Sequence, residues 1–390
     1  MTQKFIPLSV PNLKGNELKY VTHAVQTEWV STGGAYIDEF EQKIAEYVKV
    51  KGAVSCQNGT SGLHIALQVC GVTNQDEVIV PTLTFIAAVN PVKYIGAEPI
   101  FMDCDDSLCI DPEKIKQFCE NECRFVDGKL INNQTGKHIK ALIVVHVFGN
   151  MCDMEKIQKL AETYNLVVIE DATEALGSYY TEGLYKGQYA GTIGTVGVYS
   201  FNGNKIMTTG GGGMMVSNDE EIIRQSKHLT TQAKSDELFY THDEIGYNYR
   251  MTNLQAALGL AQLEKLEEFI QTKSDNFQRY KQGLEPLPGL SLLNFDPNIR
   301  SNHWFYALEI EDEIKYDRRD LIRFLGDGSI QARPIWDLIH EQKPYKMNQS
   351  YKIEKAPYYL KRIINIPCSS NLSHSDVDQV LAKLEEYTTN

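Results

Sequence analysis

Basic charge is in short supply. Lysine and arginine together number 38 and aspartate and glutamate 51, so the net charge is −13. That balance argues against a nucleic-acid binder, which needs a basic footprint. It leaves small anions open, because a few local donors can hold one phosphate. No apolar run approaches the roughly 20 residues that span a bilayer. The first residues, MTQKFIPLSV, lack a secretory pattern. A cytoplasmic enzyme with no membrane partner is the expectation. Tandem repeats and low-complexity tracts are missing. The eight cysteines form no CxxC pair, and Cys104, Cys109, Cys119 and Cys123 are followed by no histidines at finger spacing. They read as reduced thiols, with neither a metal site nor a disulfide framework. A GxGxxG turn after the first strand is also missing, and GTIGTVG (191–197) has the wrong spacing. This weighs against a nicotinamide-dependent dehydrogenase or epimerase.

What is present is a rhythm of short apolar runs and helical patterns from about residue 51 to 200. Strands are read at 53–57, 77–81, 99–103, 141–149, 166–171 and 196–201. Helices are read from Thr60, through FIAAVNPVKYIG, and over 153–165. Buried strands alternating with helices predict an α/β fold: a three-layer, mainly parallel sheet covered on both faces. Segment 123–141, with Asp127-Gly128 and Thr135-Gly136, reads as an inserted hairpin. From Thr252 a single long helical pattern leads out of a large domain (1–265). A smaller C-terminal α+β domain (266–390) follows.

Ligands of open α/β sheets sit at the carboxyl ends of strands, and four motifs fall there. NGTSG (58–62), between a strand and a helix, offers free N–H groups and hydroxyls to an anion, although Thr and Ser also serve as ordinary caps. IEDATEALGS (169–178) places Asp171 at a strand tip, where a buried carboxylate requires a partner. YSFNGNKIMTTGGGG (199–213) sets Lys205 between a strand end and four glycines. A lysine in a desolvated cleft can become a nucleophile for carbonyls. GYNYRMTNLQAA (246–257) carries Asn248 and Arg250 with no evident packing role. An anion cradle, a strand-tip aspartate and a glycine-flanked lysine are together the parts needed to hold pyridoxal 5′-phosphate.

These motifs, with PTLTFIAAVN, occur in the order and spacing of one family. The chain resembles the DegT/DnrJ/StrS sugar-nucleotide aminotransferases of the aspartate aminotransferase (fold type I) superfamily. The resemblance implies that Lys205 is the Schiff-base lysine and proton shuttle and that Asp171 pairs with the pyridinium. It implies that Gly59, Thr60, Ser61 and Ser200 hold the phosphate and that Phe85 stacks on the ring. Asn248 would reach the phosphate in the partner subunit of a homodimer with shared active sites. Glu174 falls where many relatives carry glutamine or histidine near the phenolic oxygen, and a carboxylate facing a phenolate needs a proton or a bridge. Trp29, Thr32 and Arg333 would contact a nucleotide sugar between subunits.

The implied reaction has two halves: L-glutamate donates an amine to the cofactor, and a keto-sugar nucleotide takes it. The motif wording looks closest to enzymes that aminate C4 of a UDP- or GDP-linked 2-acetamido-4-keto-6-deoxyhexose, in legionaminic acid and bacillosamine-type pathways. A C3 aminotransferase of the same family is the near alternative. In the related 3-dehydratases histidine replaces the lysine, so Lys205 argues for transamination.

Overall fold

The computed structural model describes residues 4–236, 238–311 and 316–389. Its main sheet runs, in spatial order, through Gly52–Cys56, Gly213–Ser217, Val196–Ser200, Val167–Asp171, His138–Val145, Asp76–Pro81, Glu98–Met102 and Ser350–Tyr351. Gly213–Ser217 is antiparallel to both neighbours, and the pairings beyond Val196–Ser200 are parallel. The central strands are apolar along nearly their whole length because helices cover both faces. The inserted hairpin is present as Cys123–Val126 and Lys129–Asn132, paired onto His138–Val145. Asp127 (φ 50°) and Gly128 (φ 73°) are both left-handed, the signature of a two-residue primed turn.

Local chemistry sets the helix ends. Asn58 caps Gly59–Val69 by accepting the Ser61 N–H at 2.8 Å. Asp153 caps Met154–Tyr164, which closes on left-handed Asn165. Thr252 and Gln255 form a capping box at the start of Asn253–Leu263. Two of the expected helices differ from the sequence reading, and the strand read at 141–149 runs instead over His138–Val145, followed by a 3-10 turn at Val147–Gly149. The helix expected over FIAAVNPVKYIG is two short pieces, Ile86–Ala88 and Asn90–Tyr94. Pro91 is the cause: it is accepted only in the first turn of a helix, so a new helix starts there. The long pattern after Thr252 is two helices, Asn253–Leu263 and Leu266–Leu284. Neither glycine nor proline marks that break.

A second, antiparallel sheet orders Leu290–Leu292, Tyr306–Ile310, Ile363–Ile366 and Arg333–Pro334. Helices Arg318–Asp327, Lys355–Arg362 and His374–Thr389 accompany it. All eight cysteines are free. Among the described residues no helix is long and apolar enough to cross a membrane.

Candidate active site

Four strand ends converge on one cavity of about 320 Å³. Gly52–Cys56 delivers Gly59 and Thr60, and Asp76–Pro81 delivers Thr84 and Phe85. Val167–Asp171 delivers Asp171, Thr173 and Glu174, and Val196–Ser200 delivers Ser200 and Lys205. The C-terminal half closes the cavity with Trp304, Phe305 and Trp336.

Glu170 and Asp171 show how the strand sorts its carboxylates, since successive side chains point to opposite faces. Glu170 turns inward and is fully spent. It accepts from the N–H groups of Gly191 (2.8 Å), Ile193 (2.7 Å) and Gly194, and pairs with His146 Nε2 at 2.8 Å. The glycine-rich run that fails as a dinucleotide turn therefore cradles a carboxylate. Asp171, buried to 3% exposure, faces the cavity. Its donors among the described residues all belong to Thr173, the N–H at 3.0 Å and the hydroxyl beside it. Burial pushes its carboxyl up, against the pull of the Thr173 donors and of Lys205 and His146.

Lys205 Nζ lies 3.9 Å from Glu174 Oε1 and 4.1 Å from the Trp304 ring centroid. Burial lowers the lysine, against the attraction of Glu174 and Asp171. Burial also raises Glu174, to about 7, although it accepts the Phe148 N–H at 2.9 Å. Desolvation outweighs the mutual attraction for both partners, so both are pushed towards neutrality.

The glycines divide their work. Gly210 (φ 78°) needs its left-handed turn. A side chain on Gly59 would meet Thr173 Cγ2 at 2.9 Å and Ser200 Cβ at 3.2 Å. That close approach keeps the Gly59–Val69 helix start, with the N–H groups of Gly59 and Thr60, against Ser200.

Gly59, Thr60, Phe85, Asp171, Glu174, Ser200 and Lys205 thus line one cavity. Ser61 does not; its N–H is used by Asn58. Trp29, Thr32, Asn248 and Arg333 do not line it within one chain. Trp29 is 60% exposed, Asn248 is exposed beside a bridge to Thr231, and Arg333 is exposed on its short strand. Thr32 accepts Arg250 Nη1 at 3.0 Å through its carbonyl. Arg250 also pairs with Asp38 at 3.3 Å, which gives it the packing role that its sequence context does not reveal.

The sequence reading missed Trp304, Trp336, Phe148 and Asn302. Asn302 Nδ2 donates to the carbonyls of Glu174 (3.0 Å) and Leu176 (2.9 Å), and its Oδ1 accepts the Trp304 N–H at 2.9 Å. A signal was available: the chain has only three tryptophans, and two of them line this cavity.

The leftover valences describe a ligand. A helix start suits an anion, an acceptor on Asp171 suits a ring N–H⁺, and a desolvated amine suits a carbonyl. Pyridoxal phosphate has all three features. The model of the DegT/DnrJ/EryC1/StrS aminotransferase family matches residues 11–385. The chain belongs to this family. It is an enzyme of the pyridoxal-phosphate-dependent sugar aminotransferase type. GDP-perosamine synthase of Escherichia coli O157:H7 is 38% identical over 387 residues, covering 98% of this chain and 99% of the relative. GDP-perosamine synthase of Caulobacter vibrioides is 36% identical over 384 residues, 98% of each. A DegT DnrJ EryC1 StrS aminotransferase from Brucella abortus superposes with a TM-score of 0.86 at 26% identity, covering 96% of each chain. The family resemblance and the mainly parallel fold are therefore correct. The narrower likeness to legionaminic acid and bacillosamine-type enzymes is not what these comparisons show; the two sequence relatives are GDP-perosamine synthases.

Proposed function

We propose that this protein transfers the amino group of L-glutamate to C4 of a nucleotide-linked 4-keto-6-deoxyhexose. One observation carries the reading: the buried Lys205 amine and Asp171, whose donors among the described residues lie on Thr173, share a cavity with Gly59 and Thr60 at a helix start.

The chain's own residues divide the task. Gly59, Thr60 and Ser200 hold the phosphate, Asp171 keeps the proton on the ring nitrogen, and Phe85 covers a ring face. When bound, pyridoxal phosphate supplies a carbonyl for the amine and a sink for the electrons left at carbon. Lys205 Nζ takes the proton from the α-carbon of the amino donor and returns a proton to C4 of the sugar in the second half. Desolvation supports this, because a lowered lysine reaches its neutral, proton-accepting form nearer neutral pH. Trp304, Phe305 and Trp336 supply apolar surface that keeps water from the reacting atoms, with Phe148 packed behind the two tryptophans. Residues 1–265 hold the cofactor in this reading, and residues 266–390 contribute the closing wall.

The names of the relatives favour a GDP-linked sugar. A second reading, a 2-acetamido substrate, is favoured by the wording of the motifs in the chain. In both the enzyme works as a homodimer. Asn248 of each subunit reaches the partner's cofactor phosphate, and Trp29, Thr32 and Arg333 line the nucleotide-sugar site between subunits. The exposure of these residues away from their own cavity supports that arrangement. NMR analysis of products from GDP- and UDP-linked 4-keto-6-deoxyhexoses, with 2-hydroxyl or 2-acetamido groups and glutamate, tests the reading. A 4-amino product from the GDP-linked 2-hydroxy sugar is expected. Amination at C3, or none with any of them, overturns it.

A further inference from the structure

The carbonyl immediately before Lys205 is held from two distant parts of the chain. Asn204 O accepts the Trp304 indole N–H at 2.7 Å and the Ser9 hydroxyl at 3.3 Å. The same indole presents its ring to Lys205 Nζ at 4.1 Å. The indole is itself fixed. Asn302 ties the Trp304 backbone to the carbonyls of Glu174 and Leu176, and a side chain on Gly149 would collide with Asn302 Oδ1. His303 (φ 48°) takes the left-handed conformation that a non-glycine residue rarely adopts, directly before the tryptophan. Phe148 packs on Trp304 with ring centroids 6.2 Å apart.

We propose that Trp304 is a positioning residue for Lys205, its N–H fixing the lysine's main chain and its ring face holding the side chain at the cavity once the free amine has taken up a proton. The inference rests on the role given to Lys205 above. Transamination leaves that amine free for part of each cycle. An unrestrained lysine would then lose the geometry it needs to collect and return a proton. A cation over an indole face is attracted by the ring quadrupole, more so where water is excluded. The other charged groups facing the amine are Glu174 and Asp171. Lys273 lines a small polar cavity that Lys205 also borders.

The test uses the full chain with Trp304→Phe, Trp304→Leu and Ser9→Ala. Phenylalanine keeps a ring face and loses the N–H; leucine loses both. In protein stripped of cofactor, acetic anhydride labels only neutral amines. Mass spectrometry of the Lys205 peptide across pH then reads the lysine's own titration. Trp304→Leu is expected to move that midpoint down by roughly one pH unit, as the ammonium loses its ring, while Trp304→Phe keeps it. In loaded enzyme, the glutamate half-reaction is expected to slow about tenfold in Trp304→Phe, with the glutamate KM unchanged. Ser9→Ala should slow it in the same direction. An unmoved or raised midpoint in Trp304→Leu, or a wild-type rate in Trp304→Phe, overturns the proposal. If Trp304→Leu does not fold, the rates of Trp304→Phe and Ser9→Ala decide. Failure of the transamination reading looks different: wild-type enzyme would show no glutamate half-reaction, whatever the labelling midpoints.

Discussion

Glu170 and Asp171 are adjacent carboxylates on one strand, and the structure assigns them opposite work. Glu170 is fully buried and answered by three backbone N–H groups and His146. Glu170→Gln turns an acceptor into a donor among donors, so it should cost about 2–4 kcal/mol of stability, visible as a lower Tm. Asp171→Asn removes a desolvated carboxyl with few partners and should leave Tm unchanged or raised. Its loss should fall on kcat, by about a hundredfold or more, with little change in KM. A matched loss of stability in the two variants would return Asp171 to a structural role. Glu174 adds a pH signature. Burial raises its carboxyl from the usual value to about 7. Between those two values the folded chain holds a proton that the unfolded chain has released. The stability of cofactor-free protein should therefore fall as pH rises from about 4.5 to 7, with a slope approaching about 1.4 kcal/mol for each pH unit crossed. Glu174→Gln should flatten that slope, and parallel Tm-versus-pH curves for the two proteins would refute the raised carboxyl.

At the scale of elements, the strands and their ends were legible because each signal is local. A continuous apolar run, a cap and a turn residue lie within a few positions of one another, and Asp171, Ser200 and Lys205 inherit their places from them. The wall made by Trp304 and Phe148 was not legible. Its partners, Asn204 and Glu174, lie about a hundred residues or more from Trp304, and contact across such a gap leaves no pattern in one sequence. The helix break between Leu263 and Leu266 was hidden for another reason: apolar periodicity runs through it without a glycine or proline. The start of Gly59–Val69 offers a test on an element. Gly59 has no positive φ, so alanine there costs nothing in the backbone and favours the helix. The added methyl must instead displace Thr173 and Ser200. Gly59→Ala should keep its far-UV circular dichroism and weaken cofactor binding about tenfold or more, read by titration of the stripped protein. Gly203→Ala is the control, since among the described residues nothing lies within 4 Å of its added carbon. Equal cofactor affinity in the two variants would remove Gly59 from the phosphate cradle.

At the scale of the whole molecule, several large apolar side chains stay exposed in one chain. Phe85 at the cavity is 54% exposed, and Leu238, Phe239, Tyr240 and Ile245 are all more than 70% exposed on the segment that leads to Asn248. Grouped exposed apolar residues mark interaction surfaces, which is what a composite site between two subunits requires. A C₂ pair in which Asn248 serves the partner's cavity has two equivalent sites, each built from both chains. Lys205→Ala and Asn248→Ala chains should each be inactive as homodimers. A mixed dimer carries both lesions in one site and none in the other. With random exchange about half of the dimers are mixed, so about a quarter of all sites are intact. Activity should rise from near zero towards that fraction as subunits exchange, with exchange followed independently by native mass spectrometry of differently tagged chains. Asn248 is exposed, so its alanine variant removes a contact without opening a cavity in the core. If mixed dimers form and no activity returns, Asn248 serves its own subunit and each cavity is complete within a single chain.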